Sequence, residues 1–394
     1  MWQIALLGVA QILLWGGSYF LLSVLAAPIM EDRQWSYQQI YGCLSLALLI
    51  AGLLLPRIGR LIDTAGLNVA LQNAGIVMAV GLVLVGLAQH YSLFITGWVI
   101  IGLAMAMGLY DALFASLGKQ YGHQAHKAIV QVTLISCLAP SISWAFSSFL
   151  LQQFGWRNTC FVYALLLVLV IWPIHRYVFR VQDNRILPVK EAAPAAVLSP
   201  SLFRSPVYYL ILFNFTIGAL LNTGIVIYLI DILSARGMVM ASVLAMTALL
   251  GPSQAAARAI ELILPGKSVL GSAVWSGLAH LAGILLLLGG AYTAALAVVL
   301  FGLGNGMRSI LRGTLPLHVF GKEGYPVIIG RLGRLPLIAQ AIAPFAGGLL
   351  IARAGMTAFL VTCASLAAIN LVAVIFIRRL VPQSPREKQE MIKQ

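Results

Sequence analysis

The residues best suited to chemistry in this sequence are charged side chains that lie inside long apolar stretches. Arg308 and Arg312 are four residues apart, and Arg331 and Arg334 are three apart, so each pair shares one face of a helix. A guanidinium group presents a rigid fork of donors that suits a carboxylate or a phosphate. These arginines therefore indicate either a binding site for a small anion, with Arg308 the deepest, or ion pairs at a gate.

Asp111 is a carboxylate inside another apolar stretch. A carboxylate that loses its water shell holds a proton more readily, so Asp111 could exchange protons as a site opens and closes. The alternative is a permanent salt bridge to Lys127 or to an arginine. The sequence is consistent with both interpretations.

The composition indicates a membrane protein. Of the 394 residues, 61% are hydrophobic and only 9% are charged, whereas soluble domains carry about 25% charged residues. The net charge of +14 does not predict nucleic-acid binding, because the basic residues lie between apolar stretches. The four cysteines lie within apolar stretches without C-x-x-C spacing, so neither a metal site nor a disulfide is predicted, and no cofactor is expected.

The apolar stretches position these charged residues. A helix needs about 20 apolar residues to cross a membrane, and twelve stretches reach that length. They lie near residues 4–28, 36–56, 68–88, 92–117, 127–150, 157–178, 207–231, 238–262, 268–289, 291–317, 325–351 and 355–377. The sequence therefore predicts an all-α membrane protein with six spans, a polar linker and six more spans.

The two sets of six spans resemble each other. Residues 101–105 align with 301–305, and residues 138–140 with 342–344. Such ordered pairings predict two pseudo-symmetric six-helix bundles. We place the bundles at 1–178 and 207–378, joined by a linker at 179–206 and followed by a tail at 379–394.

The run Gly59-Arg60-Leu61-Ile62-Asp63-Thr64-Ala65-Gly66 resembles the G-x-L-x-D-x-x-G signature of the major facilitator superfamily. In that family the signature joins the second and third membrane helices. The resemblance implies two bundles that rock about a central substrate site, with Gly59, Asp63 and Gly66 in a gate. It implies the same gating role for Arg312, Arg331 and Arg334.

The resemblance also implies which residues line the substrate site. Arg308 would bind an anionic group, and Asp111 would couple protons. The other predicted pocket residues are polar or aromatic side chains within spans, namely Tyr19, Tyr110, Gln131, Asn214, Asn222 and Gln340. Each of these could instead hold two helices together.

Basic residues predict the orientation of the chain. They concentrate on the connections that would share one side with both termini, and positively charged loops remain cytoplasmic. We therefore expect both termini in the cytoplasm and the protein, as a monomer, in a bacterial inner membrane.

Two positions depart from patterns of drug–proton transporters in this family. Trp98 stands where an arginine often precedes the glycine equivalent to Gly102, and the segment around Pro140 lacks the glycines of the fifth-helix antiporter pattern. Both departures weigh against multidrug efflux.

The preferred function is a secondary active transporter, proton-linked, that moves a small organic anion. The alternatives are proton-coupled efflux of amphipathic or drug-like compounds, and a receptor or enzyme that transports nothing. No H-E-x-x-H, G-x-S-x-G or G-x-x-x-x-G-K-[ST] motif occurs in the sequence, so we do not expect an enzyme. The expected partners are a small-molecule substrate, protons and the lipid bilayer.

Overall fold

The computed structural model describes residues 2–64, 69–185, 202–263 and 268–381. Within these ranges the chain forms fifteen α-helices. In chain order they are α1 (Trp2–Gly16), α2 (Leu22–Arg33), α3 (Tyr37–Thr64), α4 (Val69–Leu87), α5 (Tyr91–Gly108), α6 (Tyr110–Tyr121), α7 (Ala125–Ser136), α8 (Ala139–Leu166), α9 (Trp172–Arg185), α10 (Pro206–Ser234), α11 (Met240–Ala248), α12 (Leu250–Ile263), α13 (Val269–Leu288), α14 (Ala291–Phe320) and α15 (Tyr325–Leu380). Short 3₁₀ turns and one π-helical segment connect some of them.

In the described ranges, eight helical stretches are long and apolar enough to cross a membrane. Two of them, Ala125–Phe179 and Tyr325–Leu380, contain 55 and 56 residues, more than twice the length of one crossing. Gly155 and Gly355 interrupt these stretches with φ of 76° and 83°, so each stretch makes two passes. The first and eighth predicted spans are each divided into two shorter helices, α1 with α2 and α11 with α12. The helices thus reproduce the twelve predicted spans.

By internal packing the chain divides into two compact units. The first comprises Met1–Val197 with Lys322–Ala341, and the second comprises Leu198–Gly321 with Ile342–Gln394. This division differs from the predicted bundles at residues 322–341, where glycines bring the first turns of α15 against α3 and α6. The predicted bundle boundaries stay a prediction.

Glycines at equivalent positions permit close helix packing in both units. A side chain at Gly102 of α5 would collide with the backbone of Ala47 in α3. In the second unit, a side chain at Gly302 of α14 would collide with Ser253 and with the carbonyl of Leu250 in α12. Small residues let membrane helices approach until their backbones touch. Gly102 and Gly302 are two hundred residues apart and lie in the aligned segments 101–105 and 301–305. The repeat in the sequence therefore corresponds to equivalent helix contacts in the structure.

An ion pair links the end of α2 to the turn at Gly155. Arg157 Nη2 donates to Asp32 Oδ2 at 2.8 Å, and the Arg157 guanidinium lies 4.3 Å from the centroid of the Trp156 ring. The hydrogen bond from Arg157 lowers the pKa of the Asp32 carboxyl below its ordinary value. This contact joins the first span to the connection between the fifth and sixth spans.

Candidate anion site and its surroundings

Arg308 lies on α14 and packs directly against a glycine of α10. A Cβ atom at Gly218 would lie 2.6 Å from Arg308 Nη1 and 2.9 Å from Arg308 Cδ. Any residue larger than glycine would therefore occupy the space that the arginine now fills. The position of the guanidinium depends on the absence of a side chain on the neighbouring helix.

The partners of Arg308 within the described residues are few. Its Nη2 donates to Asn305 Oδ1 at 3.5 Å, a long hydrogen bond within the same helix. Its Nε is buried without a hydrogen-bond partner, and no carboxylate of the described chain lies within 4.0 Å of the guanidinium. Arg312, one turn further along α14, brings a second positive charge within electrostatic range. The arrangement creates a positive region that lacks an anion beside Arg308.

The two predicted asparagines of α10 have different surroundings. Asn214 Nδ2 donates to Asn370 Oδ1 of α15 at 3.1 Å, a hydrogen bond between helices. Asn222 lies one turn after Gly218, and its Oδ1 is buried without a donor among the described residues. Asn222 thus offers an unused polar atom on the helix face that also carries Gly218.

Aromatic side chains form a separate cluster in the first unit. Trp15 of α1 contacts the rings of Tyr19, Phe20 and Tyr110 at centroid distances of 5.7, 6.0 and 5.3 Å. Trp144 of α8 meets Phe20 edge to face at 6.0 Å. The cluster brings together two predicted pocket residues, Tyr19 and Tyr110, which lie beside the breaks between α1 and α2 and between α5 and α6.

The other predicted pocket residues lie on the helices where the sequence placed them. Gln131 is half-buried on α7, and Gln340 is half-buried on α15. The Tyr110 hydroxyl shares a 2.6 Å hydrogen bond with Ser136 Oγ of α7. Their roles in substrate binding stay predictions.

Asp111 is buried at the start of α6, with 7% of its surface exposed. Its carboxyl group lies against the backbone of α15, because a Cβ atom at Gly333 would be 3.2 Å from Asp111 Oδ1. Two turns further along α6, the ring of Tyr325 covers Gly118 so closely that a side chain there would collide with it. Asp111 is therefore enclosed by α6 and the first turns of α15, and its proton-coupling role stays a prediction.

Gly59 lies at a close contact between α3 and α15. A side chain at Gly59 would collide with the carbonyl oxygen of Pro326. In return, a Cβ atom at Gly330 would lie 2.8 Å from the carbonyl oxygen of Leu55. The two helices thus approach through their backbones, as a tight gate would require.

A lysine of α6 contacts the end of α3 at Asp63, a predicted gate residue. Lys119 Nζ donates to the backbone carbonyls of Ile62 and Asp63 at 2.8 and 2.5 Å, a favourable position for a cation at a helix C-terminus. Arg331 and Arg334 are exposed on α15. Gly66 lies outside the described residues. The gating roles of these residues and of Arg312 stay predictions.

Sequence analysis did not single out Asn305 and Gly218, which contact Arg308, or His280 of α13, which packs against Gly304 one turn before it. Asn305 could have been found, because it precedes Arg308 by three residues and therefore shares its helix face. Gly218 and His280 come from other helices, and no local pattern connects them to Arg308. Their proximity is a consequence of helix packing alone.

A sequence model described as Major Facilitator Superfamily matches residues 7–332, which is most of the chain. The chain belongs to the major facilitator superfamily. The predicted all-α fold with twelve spans in two halves is confirmed, and family membership makes the chain a membrane-spanning secondary transporter. A comparison with curated proteins finds no match.

Solved structures of this superfamily have the same fold. The transporter FucP in its outward conformation matches with a TM-score of 0.73 and 15% identity, over 95% of this chain and 98% of FucP. The proton:xylose symporter XylE matches with a TM-score of 0.73 and 13% identity, over 97% and 96%. The human organic anion transporter MFSD10 (TETRAN) matches with a TM-score of 0.74 and 12% identity, over 94% and 98%. At these identities the likeness concerns the fold and not the substrate.

Proposed function

We propose that this protein transports a small organic anion and that Arg308 binds the anionic group of the substrate. The observation that carries the proposal is a half-buried arginine inside a span, whose Nε is buried without a hydrogen-bond partner and which has no carboxylate within 4.0 Å in the described chain. Charged groups inside a membrane protein normally pair with one another or face a functional cavity. An anionic substrate would supply the missing partner.

The energetics favour a ligand rather than a structural role for Arg308. Removing an ion from water without a counter-charge costs several kcal/mol, and Arg312 adds repulsion from one turn away. A hydrogen bond between charged groups contributes about 1.5–3 kcal/mol. Binding of a carboxylate would therefore offset much of the cost of keeping Arg308 inside the unit.

We further propose that transport is coupled to protons, with Asp111 as a carrier. The buried carboxyl of Asp111 lies in the contact between α6 and α15, so its protonation could alter that contact. Structural neighbours support both parts of the proposal in a general way. XylE and FucP are described as proton symporters, and MFSD10 as an organic anion transporter.

Efflux of amphipathic compounds is the second candidate function. The aromatic cluster around Trp15 and Trp144 in the first unit favours it, because aromatic faces attract apolar and cationic ligands. The cluster contains no acidic residue that would hold a cation. We therefore rank it below anion transport.

We also propose that the protein resides as a monomer in a bacterial inner membrane with both termini in the cytoplasm. The basic residues of the connecting segments support this orientation.

A thermal-shift experiment on the purified full-length protein tests the anion site. The ligands are benzoate, L-lactate, glucose 6-phosphate and the lipophilic cation tetraphenylphosphonium. A ligand at a hundredfold excess over its Kd stabilises the fold by about 2.7 kcal/mol. We expect a shift with one class of anion that is lost in Arg308→Gln. The matched control is Arg353→Gln, which removes an exposed arginine from the same unit and should keep the shift.

Stabilisation by tetraphenylphosphonium alone, equal in wild type and Arg308→Gln, would contradict anion transport and favour efflux. An anion shift that survives in Arg308→Gln would show that the anion binds elsewhere.

A further inference from the structure

His280 is a buried ionisable residue that the transport mechanism proposed above does not use. It lies on α13 with 6% of its surface exposed. Its ring meets Phe301 of α14 edge to face at 5.0 Å, and a Cβ atom at Gly304 would lie 2.6 Å from His280 Nδ1. The imidazole is therefore held between α13 and α14.

The hydrogen bonds of His280 fix which nitrogen carries a proton. Nδ1 lies 3.2 Å from the carbonyl oxygen of Ser276. A carbonyl oxygen only accepts, so Nδ1 must be the donor. In the neutral ring Nε2 is then an acceptor, and it is buried without any donor among the described residues. In the neutral ring, Nε2 thus has a lone pair that accepts no hydrogen bond from the described residues and can take up a proton.

Arg308 is the charged group that acts on this ring. It follows Gly304 by one turn on α14 and lies within electrostatic range of His280, with Arg312 a further turn away. From α12, Glu261 accepts a hydrogen bond from Ser272 of α13, two turns before His280. The segment of α15 that contacts α13 has no charged residue between 356 and 377, and its one titratable group is the thiol of Cys363.

We propose that His280 takes up a proton on Nε2 when an organic anion binds at Arg308, so that the second unit binds anion and proton together. The inference rests on the proposed function and extends it with a proton site at the anion site itself. In the empty site the burial of the ring, and after it the positive charge of Arg308, oppose a charged imidazole. A bound anion supplies a negative charge that offsets both and allows the imidazolium to form. The proton comes from water and returns to it when the anion leaves.

The linkage is reciprocal. If a bound anion tightens the binding of the proton, the bound proton must tighten the binding of the anion by the same factor. A single linked proton changes the apparent affinity by up to about tenfold per pH unit. The affinity for the anion should therefore weaken as the pH rises through the range in which His280 loses its proton.

His175 provides a matched control in the first unit. Its Nδ1 lies 2.7 Å from the carbonyl oxygen of Leu71, its ring is fully buried, and its Nε2 also has no partner among the described residues. The helix that it contacts, α4, contains no charged residue, and the adjacent Arg176 is exposed. His175 thus shares the burial and tautomer of His280, whereas the described helix that it contacts, α4, carries no arginine.

The test measures proton uptake on anion binding. Purified full-length protein in weakly buffered detergent solution receives benzoate or L-lactate, both of which are fully ionised above pH 6, and a pH-indicator dye reports the protons taken up. The histidine variants are His280→Asn and His175→Asn, since asparagine can keep a donor near the Nδ1 position but cannot bind a proton. Asp111→Asn removes the other proposed proton carrier. His280→Gln is a second substitution in case His280→Asn does not fold.

We expect about one proton per bound anion in wild type and His175→Asn, and none in His280→Asn or His280→Gln. Anion binding without proton uptake in wild type, or with undiminished uptake in the His280 variants, would overturn the inference and leave the anion site intact. Loss of uptake in Asp111→Asn alone would assign the proton to Asp111 and also overturn it. If none of the anions binds, the proposed function fails, and the inference fails with it.

Discussion

Arg308 illustrates how a single side chain is positioned by what its neighbour lacks. The guanidinium fills the space next to Gly218 on α10. At Gly218, α10 therefore provides space for the side chain and not a hydrogen bond. A membrane interior offers no water to fill such a space or to solvate the charge. A substitution at Gly218 should therefore weaken anion binding by displacing the guanidinium of Arg308.

Gly218→Ala should weaken anion binding with little loss of stability. The new methyl group would lie 2.6 Å from Arg308 Nη1 and would displace a flexible side chain rather than the backbone. Loss of one charged hydrogen bond costs about 1.5–3 kcal/mol, so we expect Kd to rise at least tenfold in a titration followed by thermal shift. Gly271→Ala, a helical glycine with only an ordinary contact at 3.7 Å, should leave Kd unchanged. Equal effects of the two substitutions would contradict the positioning role of Gly218.

The ion pair between Asp32 and Arg157 should make stability depend on pH. Arg157 lowers the pKa of Asp32, so its contribution is fully present above the ordinary value of about 3.8 and is lost as the pH falls through the lowered value. Both side chains are partly exposed, at 41% and 35%, so the effect is small, at most about 1 kcal/mol. We expect Arg157→Gln to lower Tm at pH 7 and to approach the wild-type Tm as the pH falls through the lowered pKa of Asp32. A Tm difference that does not change with pH would show that Arg157 acts through its packing on Trp156.

At the residue scale, sequence analysis found the charges but not their surroundings. The spacing of Arg308 and Arg312 predicted a shared helix face, and both lie on α14 as expected. The partners of Arg308 depend on how α10 and α13 pack on α14, which no local spacing encodes. Asn222 and Asn214 have equal weight in the sequence, yet only Asn214 has an amide partner on another helix.

At the scale of helices, two turns at glycines join successive spans. Gly155 joins the fifth span to the sixth, and Gly355 joins the eleventh to the twelfth. Gly155 and Gly355 have φ of 76° and 83° with ψ of 170° and 168°, and they are two hundred residues apart. Both turns connect an odd-numbered span to the next without a loop. The repeat seen in the sequence thus extends to backbone conformation.

Gly155→Ala and Gly355→Ala should each destabilise the protein through the backbone alone. No atom lies within 4 Å of a Cβ at either position, so strain from a positive φ with ψ near 170° is the main effect, about 1–3 kcal/mol. Gly42→Ala is the control, because Gly42 lies inside α3 with similar open space, and alanine there should stabilise the helix by about 0.5–1 kcal/mol. Denaturant titration in detergent measures all three. No loss of stability in the turn variants would mean that the turns relax.

Length and hydropathy predicted most elements, because a crossing helix must be long and apolar. The breaks within spans were not predicted. The first span divides between α1 and α2, and the fourth divides at Leu109, where φ is −77° and ψ is −176°. Gly17 lies in the first break and permits it. Leucine has no preference for the break at residue 109, so tertiary packing rather than local preference must stabilise that one.

The orientation of the whole molecule can be tested by labelling. We expect a cysteine at Ser384 in the tail to react with a membrane-impermeant maleimide only after the cells are permeabilised. A cysteine at Ala235, which is exposed at the end of α10, should react in intact spheroplasts. Wild-type protein gives the background from the four native cysteines, three of which are buried. The reverse pattern would contradict the proposed topology.

The pairing of a bound anion with a proton on His280 has a consequence for the driving force of transport. A monoanion that crosses alone against an inside-negative membrane potential of 100 mV is opposed by about 2.3 kcal/mol. An anion that crosses with one proton moves no net charge, so the cycle would be electroneutral. In proteoliposomes, a potassium diffusion potential should then leave uptake of the anion unchanged, whereas a pH gradient should drive accumulation. The cell could thus take up an acid without opposition from its own voltage.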